Sequence, residues 1–159
     1  KLSLNLKIFR SDLSPAWQEV RFGRLWEQGV GGMQSYNQLN KVEPMAQALE
    51  RLQAGMWFSG LRRSQSGSRS EIRIVQTHKN TVVKVFPLAD WSDRDIHAYL
   101  EAYDLPYHPL WEQGYVSIGD HHTSQPLGAN DRDEDTRFFG LLRECGMHQP
   151  DRFKQLRSL

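Results

Sequence analysis

The tightest constraint on this chain is the order in which short apolar runs and amphipathic stretches alternate along it. Met56-Trp57-Phe58 is an apolar run that reads as a buried strand. Ile72 to Val75 and Thr81 to Phe86 read as two more strands, joined by a polar turn around His78, Lys79 and Asn80. Before the first run, Pro44 opens a predicted helix with Met45, Leu49 and Leu52 on one side and Gly55 as its stop. After the third, Ser92 and Asp95 form a capping-box-like start. The helix that follows is expected to bury Ile96, Tyr99, Leu100 and Tyr103 and to end at Pro106. Strands alternating with helices predict an α/β architecture with a largely parallel sheet.

The flanks are read in the same way. Leu2, Leu4, Leu6 and Ile8 alternate with Ser3, Asn5 and Lys7, a period-two strand that opens at once. So abrupt a start predicts the C-terminal part of a longer chain. Ser14-Pro15 predicts a helix start, with Trp17, Val20, Phe22 and Leu25 on its apolar face up to Gly29. Gly29, Gly31 and Gly32 predict a flexible joint, and residues 105–130 read as irregular. Asp131, Asp133, Glu134 and Asp135 put negative charge where a helix N-terminus favours it. A last helix is therefore expected through Phe138, Phe139, Leu142 and Cys145, stopping at Gly146. The pentapeptide Leu-Trp-Glu-Gln-Gly occurs at 25–29 and again at 110–114, too little for a repeat architecture.

Composition narrows the function classes. The 159 residues suit one ordinary domain. Lys and Arg number 20 against 19 Asp and Glu, a net charge of +1 that argues against a bulk nucleic-acid or membrane-surface binder. No apolar run approaches the roughly 20 residues of a membrane span. A lone cysteine, Cys145, excludes an internal disulfide framework and a self-contained cysteine metal site. Its free thiol suits a reducing compartment, so the cytoplasm is expected.

Four places could carry chemistry. Arg62, Arg63 and Arg69 lie in a Ser- and Gly-containing loop after a predicted strand, where α/β folds place ligands. Guanidinium groups bind phosphate or sulfate through paired, charge-assisted hydrogen bonds; the alternative is a solvated Arg/Ser linker. Cys145 could be a nucleophile, although the expected helix end is the wrong pole for a thiolate and would need cations such as Arg143 and His148 to offset it. The alternative is a small buried apolar side chain. Lys41, just before a predicted helix start, could contact an anion together with the helix amides, or be solvated. Asp120, His121, His122 and His108 suggest a metal, but adjacent histidines diverge, and a structural metal is not expected. The tryptophans at 17, 26, 57, 91 and 111 read as core or interface residues.

Five segments occur together and in order: Lys41-Val42-Glu43-Pro44-Met45, Gly60-Leu61-Arg62-Arg63-Ser64-Gln65-Ser66, Pro87-Leu88-Ala89-Asp90-Trp91, Gly114-Tyr115-Val116-Ser117-Ile118-Gly119 and Glu144-Cys145-Gly146-Met147-His148. With them the chain closely resembles the C-terminal two-thirds of the thioredoxin-dependent phosphoadenylyl-sulfate (PAPS) reductase family of assimilatory sulfate reduction. The resemblance implies an adenine-nucleotide α-hydrolase-like fold, a parallel sheet with flanking helices. It implies that residues 1–118 are the C-terminal part of a nucleotide-binding domain and 119–159 an arm carrying the catalytic cysteine. The Cys145 thiolate would attack the sulfur of PAPS, expel adenosine 3′,5′-bisphosphate and become S-sulfocysteine, which thioredoxin or glutaredoxin would resolve. Lys41, Arg62, Arg63 and Arg69 would neutralise sulfate and phosphates. Arg137 and Arg143 would travel with the cysteine, and His148 would help stabilise its thiolate. A homodimer is implied. Relatives that reduce adenylyl sulfate carry a four-iron, four-sulfur cluster on cysteine pairs. Here Tyr36-Asn37, Asp120 and Thr123 stand at those places, so no cluster is expected. His121 and His122 become plain loop residues. The family's Ser/Gly-rich phosphate loop and Asp-Thr-Gly segment are not in these residues, which predicts either a longer native protein or an inactive fragment.

Two other readings are set against this one. An ATP-dependent adenylylating enzyme of the same fold would need the phosphate loop and Mg²⁺ but no C-terminal thiol, and pyrophosphate release would reveal it. A non-catalytic module could dock an anionic partner or RNA on the Arg/Ser loop, and a steep salt dependence would reveal that.

Overall fold

A computed structural model describes residues 3–77, 82–142 and 144–147. The chain packs as two compact units, Lys1–Leu52 with Ser117–Leu159 and Gln53–Val116. Residues 1–52 thus group with the C-terminal segment.

In the first unit, α1 (Pro15–Phe22) is capped by Ser14, whose hydroxyl accepts from the Trp17 amide at 3.3 Å, and is closed by Gly23 at φ +71°. Its inward side chain is Gln18, while Trp17 and Val20 are exposed, which corrects the expected apolar face. Gln18 donates to Asn40 Oδ1 at 2.9 Å, and Asn40 donates back to Gln18 Oε1 at 2.8 Å. A reciprocal amide pair leaves few polar atoms unpaired, so burying it costs little.

The expected glycine joint is helix. α2 (Gly29–Asn37) runs without a break through a π-helical turn, Gln38–Val42, into α3 (Glu43–Arg51). Glycine at 32 serves close approach rather than flexibility, since a Cβ there would fall 2.2 Å from the Leu25 carbonyl oxygen. Pro44 explains the wide turn. A proline ring collides with the carbonyl four residues back, here that of Asn40, and widening the helix over 38–42 makes room for it. Consequently no helix begins at Lys41. The Glu43 amide is bonded to Gln38, and the expected anion contact with free helix amides is overturned.

Residues 3–10 form no regular element, and Leu4, Leu6 and Ile8 are exposed. An alternating segment becomes a strand only against a neighbouring strand, and none among the described residues pairs with it. The expected C-terminal helix is also absent. Asp133–Thr136 and Phe138–Gly140 are single 3₁₀ turns, with Phe138 at φ +51° and Phe139 at φ +55°. Two consecutive left-handed residues cannot continue a right-handed helix. Phe138 is buried with Met33 and Val42. The repeated pentapeptide folds alike both times: Leu25–Glu27 and Pro109–Gln113 are 3₁₀ turns leading to left-handed Gly29 and Gly114.

The second unit holds a three-stranded sheet of order β1-β3-β2, with β1 Met56–Phe58, β2 Val75–Thr77 and β3 Val83–Val85. β1 and β3 are parallel, with Trp57 opposite Lys84; β2 is antiparallel to β3, with Gln76 opposite Lys84. The sheet is thus mixed, not largely parallel. Ile72 to Ile74 stay outside β2, and the turn at His78, Lys79 and Asn80 lies outside the described residues. The face carrying Lys84 is turned inward, whereas Met56 and Phe58 are exposed, so β1 is not the buried strand expected. Phe86 and Ala89, directly after β3, form the core of this unit. α4 (Asp93–Ala102) has its capping box, with the Asp95 amide donating to Ser92 Oγ at 3.2 Å and the Ser92 amide donating to Asp95 Oδ2 at 2.8 Å. It buries no residue fully: Tyr99 and Tyr103 are exposed, and Ile96 and Leu100 half-buried. Among the described residues, no helix is long and apolar enough to cross a membrane.

Two outcomes follow for the second unit. Phe86→Ala is expected to cost about 3–5 kcal/mol in denaturant unfolding, the usual cost of emptying a buried phenylalanine site. Lys84 is 5% exposed, and burial lowers its ammonium pKa below the ordinary lysine value. A depressed folded-state pKa means that the fold disfavours the protonated form, so the cost is fully present at neutral pH. It fades as pH rises through the folded value towards the unfolded one. Lys84→Met should therefore be at least as stable as the unsubstituted chain in thermal melts at pH 7, with its advantage shrinking in alkaline buffer.

Candidate active site

Lys41 sits in the π-helical turn and makes an ion pair with Asp120, Nζ to Oδ2 at 2.5 Å, with both side chains largely buried. Its ammonium also lies 4.9 Å from the centre of the Phe138 ring and 5.8 Å from that of Tyr36. Tyr36 donates a hydrogen bond to Asp120. Burial, the charge of Asp120 and that bond together push the phenol up to about 12. Asp120 is thus shared between a lysine and a tyrosine one helical turn apart. The pairing joins residues 79 positions apart in sequence.

His122 packs beside the same group, its ring 4.0 Å from Trp26 and edge-on to Tyr36 at 5.0 Å. Burial lowers its imidazole below the usual value, so it is a packed neutral ring rather than the plain loop residue expected. These aromatic and polar groups wall a cleft of about 670 Å³ that also takes in Gln18, Asn40 and His121. Among the described residues no three His, Cys, Asp or Glu side chains converge as metal ligands would. Asn37 and Thr123, close in sequence to Tyr36 and Asp120 respectively, are buried as well. The segments 36–41 and 120–123 therefore meet, and they offer phenol, amide, carboxylate and hydroxyl groups rather than thiolates.

Arg137 also lies over Phe138, its guanidinium 5.0 Å from the ring centre. It donates to the Ile118 carbonyl at 2.9 Å. A Cβ on Gly119 would fall 2.0 Å from this guanidinium, so only glycine lets the arginine lie there. Lys41 and Arg137, predicted separately, are brought onto one aromatic ring.

Cys145 is half-buried and belongs to no helix, which removes the helix-end effect expected for its thiol. Its segment rests on the π-helical turn: Gly146, left-handed at φ +91°, has Val42 Cγ2 within ordinary contact of where a Cβ would stand. The thiol borders a cleft of about 40 Å³ lined by Gln34, Asn37, Gln38, Val42 and Glu144. A mainly polar lining sets Cys145 apart from a greasily packed structural cysteine. Arg143 and His148 lie outside the described residues.

The arginine loop belongs to the second unit, beyond the carboxyl end of β1. Arg62 donates to Asp93 Oδ1 at 2.6 Å, and Arg63 is bonded to Asp90 and to the Ile72 carbonyl. Arg69 donates to Gln65 Oε1 at 2.6 Å. The loop is an ordered, hydrogen-bonded structure on the turn after β3, not a solvated linker. Sequence reading missed the carboxylates that hold these cations. Asp90 and Asp93 lay in view three residues apart, but charge alone does not tell which cation a carboxylate meets. Tyr36 and Asn37 were noticed only as substitutes for cysteines, and the Lys41–Asp120 contact had no local signal at all.

Comparison with known proteins identifies the family. A family model described as the phosphoadenosine phosphosulfate reductase domain matches residues 1–126. A phosphoadenosine 5′-phosphosulfate reductase of Aliivibrio fischeri is 56% identical over 151 residues, covering 95% of this chain and 59% of that protein. One of Xanthomonas euvesicatoria is 60% identical over 149 residues, covering 94% and 61%. The chain thus spans about three-fifths of the length of these curated relatives. The crystal structure of the PAPS reductase from Candida auris, a phosphate complex, superposes with a TM-score of 0.61 at 29% identity, covering 74% of this chain and 56% of that one. Its likeness gives the α/β fold with a small mixed sheet a known counterpart. With the family model extending over most of the 159 residues, this chain belongs to the phosphoadenosine phosphosulfate reductase domain family.

Proposed function

We propose that the chain reduces PAPS to sulfite and adenosine 3′,5′-bisphosphate, in assimilatory sulfate reduction. The observation that carries this reading is the position of Cys145, half-exposed in a polar cleft against the helical turn that bears Lys41. Membership of the family supports this task for the thiol.

In this reading the Cys145 thiolate attacks the sulfur of PAPS. A Cys–S bond forms, the bond from sulfur to the bridging oxygen breaks, and adenosine 3′,5′-bisphosphate leaves with that electron pair. A thiolate of reduced thioredoxin or glutaredoxin then attacks Cys145 Sγ and displaces sulfite. Its second thiol closes a disulfide and frees Cys145. One hard displacement is split into two easier ones.

Lys41 and Arg137 serve the sulfate end, since both are held against Phe138 in the unit that carries Cys145. Arg62, Arg63 and Arg69 serve the phosphates from the loop after β1, and Arg143 and His148 flank the nucleophile. The thioredoxin contact, a homodimer, a cytoplasmic setting and operation without an iron–sulfur cluster complete the reading. The last is supported by Tyr36, Asn37, Asp120 and Thr123, none of which offers a thiolate.

Two measurements test it. Mixing the chain with PAPS in the absence of reductant should add the mass of one sulfo group, located by peptide mapping to Cys145. Cys145→Ser should abolish both the adduct and turnover, and a Cys145→Ser chain that still released sulfite would end the proposal. In calorimetric titrations, adenosine 3′,5′-bisphosphate should bind more tightly than adenosine 5′-phosphate. Arg62→Ala, which removes a cation assigned to the phosphates, should weaken the bisphosphate by about tenfold or more, the scale of one charge-assisted hydrogen bond. Equal affinity for the two nucleotides would remove the phosphate role of the arginine loop.

A further inference from the structure

The cleft beside Cys145 contains a polar group that the mechanism leaves unused. Asn37 is 3% exposed, and its side-chain oxygen is buried with no hydrogen-bond partner. A buried amide oxygen left unpaired is costly and rare, and it calls for an explanation. Asn37 lines the same cleft as Cys145. It is the last residue of α2, immediately before the π-helical turn, and such turns are frequent at functional sites. The neighbouring glutamine cannot take its place, because the Gln38 side chain is directed to Glu43, its Nε2 3.4 Å from Oε1.

We infer that Asn37 is the positioning residue of the Cys145 thiol, its Oδ1 being the acceptor for the Sγ–H proton. The thiol is a weak donor and the amide oxygen an acceptor, so the pair is complementary only while the sulfur is protonated. Both side chains line the one cleft of about 40 Å³, and a χ1 rotation of Cys145 is the movement by which its proton would reach the oxygen. Loss of that proton to solvent removes the donor and sets a thiolate against a carbonyl dipole and the adjacent Glu144 carboxylate. The docked position therefore holds the resting thiol, and ionisation favours departure from it. Left-handed Gly146, beside the sulfur, is a natural pivot for such a movement.

This inference rests on Cys145 being the nucleophile, but its test needs no substrate. Because the chain has one cysteine, its infrared spectrum contains a single S–H stretching band, which Cys145→Ser assigns by removing it. In the full chain the band should lie at the lower frequency of a hydrogen-bonded thiol. Asn37→Leu, checked for folding by circular dichroism, should return it to the free-thiol position and speed alkylation of Cys145 at neutral pH. Asn37→Ser, which keeps an oxygen acceptor, should retain part of the shift. A free-thiol band in the unsubstituted chain overturns the inference whether or not any variant folds. A shifted band unchanged in folded Asn37→Leu overturns it too. If the band behaves as expected while PAPS leaves no adduct, the hydrogen bond stands and the functional reading falls.

Discussion

The first unit depends on a single carboxylate. Asp120 is reached by Lys41 and Tyr36 from one turn of the long helix, and it comes from a segment far along the chain. Burying a lysine alone would be prohibitive; burying it against a carboxylate, with a phenol donating to the same group, makes the desolvation tolerable. The π-helical turn is what makes the geometry available. By absorbing the ring of Pro44 it keeps α2 and α3 one element, so Lys41 and Tyr36 share a face with Asn37 and Val42 close by. Lys41, Tyr36 and Asn37 lie on that element, and the segment of Cys145 rests against it.

What was legible in the sequence was local. Ser14-Pro15 and Ser92 with Asp95 opened helices where expected, because capping is decided by the few residues concerned. The three strands were found, the first at its expected residues, the second shifted towards the C-terminus and the third shorter. α2 was not legible, since Gly29, Gly31 and Gly32 outweigh any helix signal until tertiary packing is known, and Gly32 is there for its lack of a side chain. Acidic residues at 131–135 and aromatic spacing pointed to a helix, yet Phe138 and Phe139 take left-handed backbone, a choice made by burial of Phe138 and not by propensity. Ordered motifs named the site residues; their partners Asp90, Asp93 and Asp120 come from distant positions, where no periodicity speaks.

The sheet unit shows how far pattern and burial can part. Alternation along β3 makes Val83 and Val85 one face and Lys84 the other, and a lone two-layer unit would bury the valines. Here the lysine is the buried residue, with its ammonium 4.9 Å from the Trp57 ring centre. The ring's negative face partly replaces lost water, which makes a buried ammonium bearable without a carboxylate. Met56, Phe58 and Val75 remain on the open face.

The electrostatics of the cations have a consequence for any anion that approaches them. Lys41, Arg62 and Arg63 each already hold a carboxylate, so an incoming group gains only the difference between its own contact and the one it displaces. For the exposed pairs this starting contact is weak, because water screens it: Asp93 is 91% and Asp90 65% exposed. For Lys41 and Asp120 it is stronger, since both are mostly out of water. A singly charged anion has little to offer against Asp120. In the loop after β1, a ligand that engages Arg62 and Arg63 together can yield at one and gain at the other. That loop favours multiply charged ligands by construction, in a chain that carries only +1 overall.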